Sequence, residues 1–191
     1  SASLMLVDGK GHTLTRAFDR YSVEGDDAAT YIEVTQPADI AGVRFLIRTK
    51  DGKSEQRLYL PELKKSRKIV GSGSSGSSKG GRFLGSDICY YDLETRKKDD
   101  ALYSYVGKET IDGIEYHVID AVAVDEECPY GKSRLFLKSD NLFIYKTILY
   151  DKSGTEVKRI DVLAIETSAG IDFPKRMVIK DLVRDHTTLY E

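Results

Sequence analysis

The sequence predicts a mainly β domain, an antiparallel meander curling into a barrel or half-barrel. Three observations carry this. Short apolar or alternating runs follow one another along nearly the whole chain. Asp-Gly, Lys-Ser-Gly and similar pairs separate them, supplying the positive φ that tight hairpin turns need. Helical periodicity is nearly absent.

The elements can be taken in order. Residues 4–7 meet a DGKG turn at 8–11, and a long run reaches residue 23. A break at 25–27 precedes 30–35, and 43–49 turns through 51–53 into 56–60. Residues 101–111 turn at Asp112-Gly113 into 114–124. Residues 133–138 pass through 139–141 into 142–150, then 151–154 leads to 156–165, and 175–183 is the last long run. The expectation is about ten strands. One short helix is expected over 86–94, with Ser86 as its cap and Ile88, Tyr91 and Leu93 on or near one face. Residues 114–124 and 142–150 carry large apolar groups at both parities. A sheet with one wet face alternates more cleanly. Cover on both faces is therefore expected: a cavity on one side and a helix or partner on the other, or a packed sandwich.

The 191 residues suffice for one domain, read as 1–191. The net charge of -2 gives no global case for nucleic-acid binding. No apolar run reaches the roughly 18 residues of a membrane helix. The chain opens on Ser1-Ala2-Ser3 without a signal peptide, as a mature or trimmed chain would. Cys89 and Cys128 are not in metal-ligand spacing, and His12, His117 and His186 are scattered. All five read as core or surface residues, and no metal or cofactor is expected.

The Gly/Ser stretch at 71–81 matches two known patterns and nearly a third. G-x-G-x-x-G from Gly71 to Gly76 needs a helix to follow, but more Gly and Ser follow. The phosphate-binding loop needs Lys where Ser77 stands. G-x-S-x-G around Ser78, with His117 or His186 as base, needs a rigid elbow that a Gly/Ser run does not hold. The stretch reads instead as a flexible tether. Lys64, Lys65, Arg67, Lys68, Lys79, Arg82, Phe83 and Leu84 flank or follow it, as a cationic, partly apolar lid or membrane-facing element.

Five stretches in order, PADIAG (37–42), LYLPELKKSRKI (58–69), FLGSDICYYDLE (83–94), YDKSGTEVKRI (150–160) and IDFPKRMVIKDL (171–182), resemble the LolA-like outer-membrane lipoprotein-sorting proteins. The resemblance runs from about Leu4 to Leu189 and is to a divergent branch of that family. It implies an unclosed β-barrel with an apolar inner cavity and a helical lid. It further implies carriage of lipid or lipoprotein acyl chains in the bacterial periplasm or at the outer membrane, with a transporter or acceptor as partner. The family usually begins with a signal peptide and an amphipathic N-terminal helix, and the expectation is that this chain opens after both. The basic-Pro segment of the better-known carriers is replaced by Glu24-Gly25-Asp26-Asp27, so no functional arginine carries over.

One parity of each strand supplies the expected cavity wall: Val43, Phe45, Ile47, Leu58, Leu60, Ile160, Val162, Met177 and Ile179, with Ile88 and Tyr91 from the lid. Two other readings remain open: a lipid-acting hydrolase in the same cavity, and an interaction domain whose core is filled.

Overall fold

The structure is a computed structural model that describes residues 1–23, 25, 27–50, 53–70, 80–94, 98–168 and 170–191. Of the expected tether over 71–81, residues 71–79, with Ser78 and Lys79, lie outside the described residues, and Gly81 is tied down, its carbonyl accepting the Tyr90 amide at 2.9 Å.

Thirteen strands form one antiparallel sheet: β1 (Ala2–Val7), β2 (Thr13–Val23), β3 (Ala29–Gln36), β4 (Arg44–Lys50), β5 (Lys53–Leu60), β6 (Lys65–Ile69), β7 (Ala101–Ile111), β8 (Ile114–Ala123), β9 (Lys132–Lys138), β10 (Ile144–Tyr150), β11 (Glu156–Ser168), β12 (Ile171–Asp181) and β13 (His186–Tyr190). Their order is β6-β5-β4-β3-β2-β1-β13-β12-β11-β10-β9-β8-β7, unclosed, with β6 and β7 at the edges. The predicted strands are all present. Two more, β6 and β13, were not expected. The first reads as a charge cluster and the second is only five residues long.

Two of the stretches that resemble the sorting proteins carry turn chemistry. In YDKSG, the Asp151 carboxylate accepts the Ser153 and Thr155 amides at 2.9 Å, and Gly154 sits at φ +86°. After LYLP, a 3-10 turn over Pro61–Leu63 hands the chain to Lys64 in the left-handed region. Such local hydrogen bonding fixes the hairpins, and the hairpins fix the register.

The expected helix over 86–94 is instead irregular chain with a 3-10 turn at Tyr90–Leu93, preceded by another at Phe83–Gly85. The reason is visible in its burial. Tyr90 and Tyr91, adjacent in sequence, enter two different apolar clusters. One helical face cannot serve two cores in that way.

Paired residues point to the same side of a sheet. Registers therefore carry the inner face across from Ile119 through Leu135, Thr147 and Ile160 to Ile179. The segment from Gly80 to Glu94 packs on that face. Among the described residues no helix lies over the outer apolar side chains. Arg134, which holds the Asp120 carboxylate at 2.7 and 2.9 Å, flanks Ile148 on one side and Arg159 flanks it on the other. Lys146 lies over the buried Phe136 ring. At Ile148 and Phe136 long cationic stems do the covering, while others such as Leu46, Leu102 and Val122 stay exposed.

Candidate functional site

The inner face is divided. On one side the core is filled: Leu4, Leu6, Phe18, Ile32, Phe45, Ile47 and Ile69 close around Phe83 and Tyr90 of the crossing segment. Phe83 meets Phe18 edge-on at 6.0 Å and Phe45 at 5.6 Å, and is 2% exposed. On the other side the cluster is smaller, made of Cys89, Tyr91, Cys128, Tyr130 and Leu149.

Two hollows remain. One, of about 360 Å³, is walled by Ile32, Ile88, Leu93, Ile160, Phe173, Met177 and Ile179, among others. The second, of about 440 Å³, is lined by Tyr91, Tyr103, Ala121, Ala123, Ser133, Leu135, Thr147, Leu149 and Ile160, among others. Asp92, Glu94 and Ile160 border both. The turn at Tyr90–Leu93 and its following residue thus form a partition, with Ile160 beneath it.

The partition is held by buried polar bonds. Gln56, 1% exposed, donates to the Tyr90 carbonyl at 3.1 Å and to Glu94 at 2.7 Å. Asp92 Oδ2 accepts the Cys89 amide at 2.9 Å, Lys158 Nζ at 2.8 Å and the Tyr130 hydroxyl at 3.1 Å. Lys158 also donates to the Tyr130 hydroxyl. Burial pushes the Asp92 carboxyl up, but Lys158 outweighs it and the net is downward. Burial pulls the Lys158 ammonium down, and Asp92 and its other neighbours bring it above the usual lysine value. Both groups are therefore charged at neutral pH. The Cys89 thiol, 3.4 Å from the Tyr130 hydroxyl, is pushed up to about 12 by burial and then by the charge of Asp92. It is a protonated, unreactive thiol, and both cysteines are free.

A second buried network clasps the segment to β12 and β13. Asp87, 1% exposed, takes Arg82 at 3.1 Å, His186 Nδ1 at 2.7 Å and the Thr188 hydroxyl at 2.7 Å. Arg82 also reaches Asp181 at 2.7 Å. Gly85 supplies the φ of +77° that turns the chain so that Ser86 bonds back to the Phe83 carbonyl.

The residues named from sequence are distributed as follows. Ile88, Ile160, Met177 and Ile179 come together around the smaller hollow, and Tyr91 joins Ile160 at the larger. Phe45 and Ile47 belong to the filled core, and Leu58 packs on it. Val43, Leu60 and Val162 are half-buried and line neither hollow. Lys64, Lys65, Arg67 and Lys68 are exposed on or beside β6. Arg82, Phe83 and Leu84 are not a free flap: Arg82 is ion-paired, Phe83 plugs the core and Leu84 packs against it. Sequence reasoning missed Asp92, Tyr130 and Lys158. Lys158 sits at an inward parity of a predicted strand, and that was the available signal. Among the described residues no group of three His, Cys, Asp or Glu side chains is arranged to hold a metal ion.

Residues 26–191 match the model of a protein family described as "Uncharacterized protein". The chain belongs to that family. Its fold is that of the LolA-like proteins. A domain described as that of an outer-membrane lipoprotein-sorting protein, from Vibrio parahaemolyticus, superposes with a TM-score of 0.90 at 23% identity. A DUF1329 family protein from Desulfovibrio piger gives 0.90 at 26% identity. A LolA superfamily protein from Nitrosomonas europaea gives 0.79 at 17% identity. Each comparison covers 100% of this chain and 80% of the other. Among the curated proteins there is no match.

Proposed function

We propose that the protein binds acyl chains of a lipid or lipid-modified protein on the inner face of its sheet, in the bacterial envelope. The observation that supports this most directly is the pair of hollows of about 360 and 440 Å³ meeting at Ile160, the larger of them also bordered by Asp92, Glu94, Asp100 and Lys132. Both sizes fall in the range of roughly 300–1,000 Å³ usual for small-molecule sites. The names of the similar structures, a lipoprotein-sorting domain among them, point the same way.

Magnitudes shape the reading. A buried methylene offers ~0.8 kcal/mol, so a chain of about fifteen offers ~12 kcal/mol gross. Two such chains exceed the ~18–21 kcal/mol at which non-covalent affinity saturates. A carrier must also release its cargo, so contact is incomplete and ordering costs offset much of the gain. The open hollows and the partition between them are consistent with a loosely held chain. On this reading Ile88, Ile160, Met177 and Ile179 touch cargo, with Tyr91 and Leu135 in the second hollow. The cargo arrives from an envelope transporter or leaves to an outer-membrane acceptor.

The lipid-hydrolase reading has no comparable support. His186 faces Asp87, and His117 lies 3.2 Å from the Tyr105 hydroxyl. Native mass spectrometry of the purified protein tests the proposal, with fluorescent fatty-acid titration beside it. Co-purified lipid and saturable binding are expected. A protein that carries no lipid and binds none is an interaction domain instead. Phospholipid turnover that is lost with His117→Ala or His186→Ala would make it an enzyme.

A further inference from the structure

The two ends of the sheet carry opposite charge. Residues 44–69, which span β4 to β6, hold nine Lys or Arg and three Asp or Glu, a net of +6. Residues 98–127, which span β7 and β8, hold two and nine, a net of -7. These stretches stand at opposite ends of the strand order. The total of -2 conceals a charge separation along the strand order of the sheet.

At the positive end Lys64, Lys65, Arg67 and Lys68 face solvent. Lys64, Lys65 and Arg67 are exposed and form no ion pair among the described residues. Lys68 reaches Glu55 only at 3.8 Å. The register of β5 with β6 sets Lys65 opposite Leu60 and Arg67 opposite Leu58 on the inner side, and Lys68 opposite Arg57 on the outer side. Lys64 stands at the turn between them. Positive charge thus wraps the edge from both faces. Beside it, Leu63 and Val70 are 49% and 57% exposed.

We infer that this edge is a docking surface for an anionic phospholipid bilayer. Charge complementarity selects the class of partner, because a polybasic surface is drawn to anionic headgroups at about fivefold in affinity per Lys or Arg. The exposed Leu63 among the cations adds the apolar contact of an interfacial anchor. A second copy of the chain pairing along β6 is disfavoured, because Lys and Arg on an edge strand are what prevents such pairing. The acidic end is repelled by the same surface, so the molecule is oriented as well as attracted. This inference does not depend on the hollows being filled by lipid.

The protein has no tryptophan, so Leu63→Trp places a single reporter at the proposed contact. Vesicles of phosphatidylcholine, with and without phosphatidylglycerol, are the probes. Sedimentation with the phosphatidylglycerol vesicles and a blue shift of the reporter's emission are expected, weakening as salt screens the charges. Lys64→Glu with Lys65→Glu and Arg67→Glu should weaken binding by about 100-fold or more. The control, Lys10→Glu with Lys98→Glu and Arg176→Glu, makes the same change in net charge at exposed sites elsewhere and should weaken it far less. Fatty-acid titration without vesicles should be unchanged in both, which separates this inference from the cavity reading. No binding to phosphatidylglycerol vesicles would overturn it. So would equal binding to phosphatidylcholine alone, equal losses in the two triple variants, or self-association in place of vesicle binding.

Discussion

The two halves of the inner face share one sheet and one crossing segment, yet one half is filled and the other hollow. In the filled half, the strands present Phe18, Phe45 and Ile47, and the segment answers with Phe83 and Tyr90. In the hollow half, β8 to β10 present Ala121, Ala123, Ser133 and Thr147, and the segment answers with Tyr91 and a charged Asp92. Large side chains facing large side chains leave no room. Small ones facing a polar turn do. The difference teaches that the space is set by side-chain size along a few registers and not by sheet curvature alone.

That contrast can be broken most sharply by the same substitution on each side. Ile47→Glu puts a carboxylate into a filled core and should cost more than ~4 kcal/mol, leaving little folded protein by circular dichroism. Ile160→Glu puts it at the partition, where water can reach it. The melting transition should persist while fatty-acid binding falls at least tenfold. Equal unfolding by both would mean that the hollow half is as closed as the other.

Phe83→Ala removes the plug and should cost about 3–5 kcal/mol in denaturant unfolding. Lys158→Ala strands the buried Asp92 charge and should cost about 3 kcal/mol. The pH dependence sharpens this. The Asp92 carboxyl is depressed in the folded state, so its contribution is full above the ordinary carboxylate value of about 4. It is lost as pH falls through the lower folded value. Lys158 is raised, so its contribution is full below about 10.4 and lost as pH rises beyond that. Unfolding followed across pH should show a fall at both extremes in the parent, and a flatter acid limb in Asp92→Asn.

Ala121→Phe fills space in place of emptying it. Stability should change by no more than about 1 kcal/mol, because the new ring enters a hollow and not a packed core. Binding of a fluorescent fatty acid should still fall at least tenfold. The smallest expected effect is chemical: buried Cys89, with its thiol near 12, and buried Cys128 should resist alkylation in the native protein. Both should react once unfolded.

Much of the fold was legible because hairpins declare themselves locally. Asp112-Gly113 and the YDKSG turn specify β7–β8 and β10–β11 with no reference to the rest of the chain. β6 was not legible, because a strand bonded on one side, with only Ile69 of its five residues buried, needs no apolar alternation. The site was legible only in part. Parity on β11 and β12 leads to Ile160, Met177 and Ile179, but parity alone cannot tell Phe45, which meets Phe83, from Ile160, which meets a hollow. Which residue the segment from Gly80 to Glu94 sets against each strand is a long-range fact. Arg82 and Phe83 read as a free flap because their partners, Asp181 and Phe45, stand far off along the chain.

The order of the strands has a consequence for how the protein is made. β1 to β6 pair each with its neighbour in the chain, and so do β7 to β13, while β1 pairs with β13 across nearly the whole sequence. Hairpins form in roughly microseconds, but contacts of such high sequence separation come late and slow the whole process. Each array can assemble by itself as the ribosome delivers it. Until β13 is made, β1 keeps a bare, hydrogen-bonding edge. That edge is where a foreign strand would most readily attach, so speed in making the last strand, more than stability of the finished sheet, should decide how much chain folds correctly.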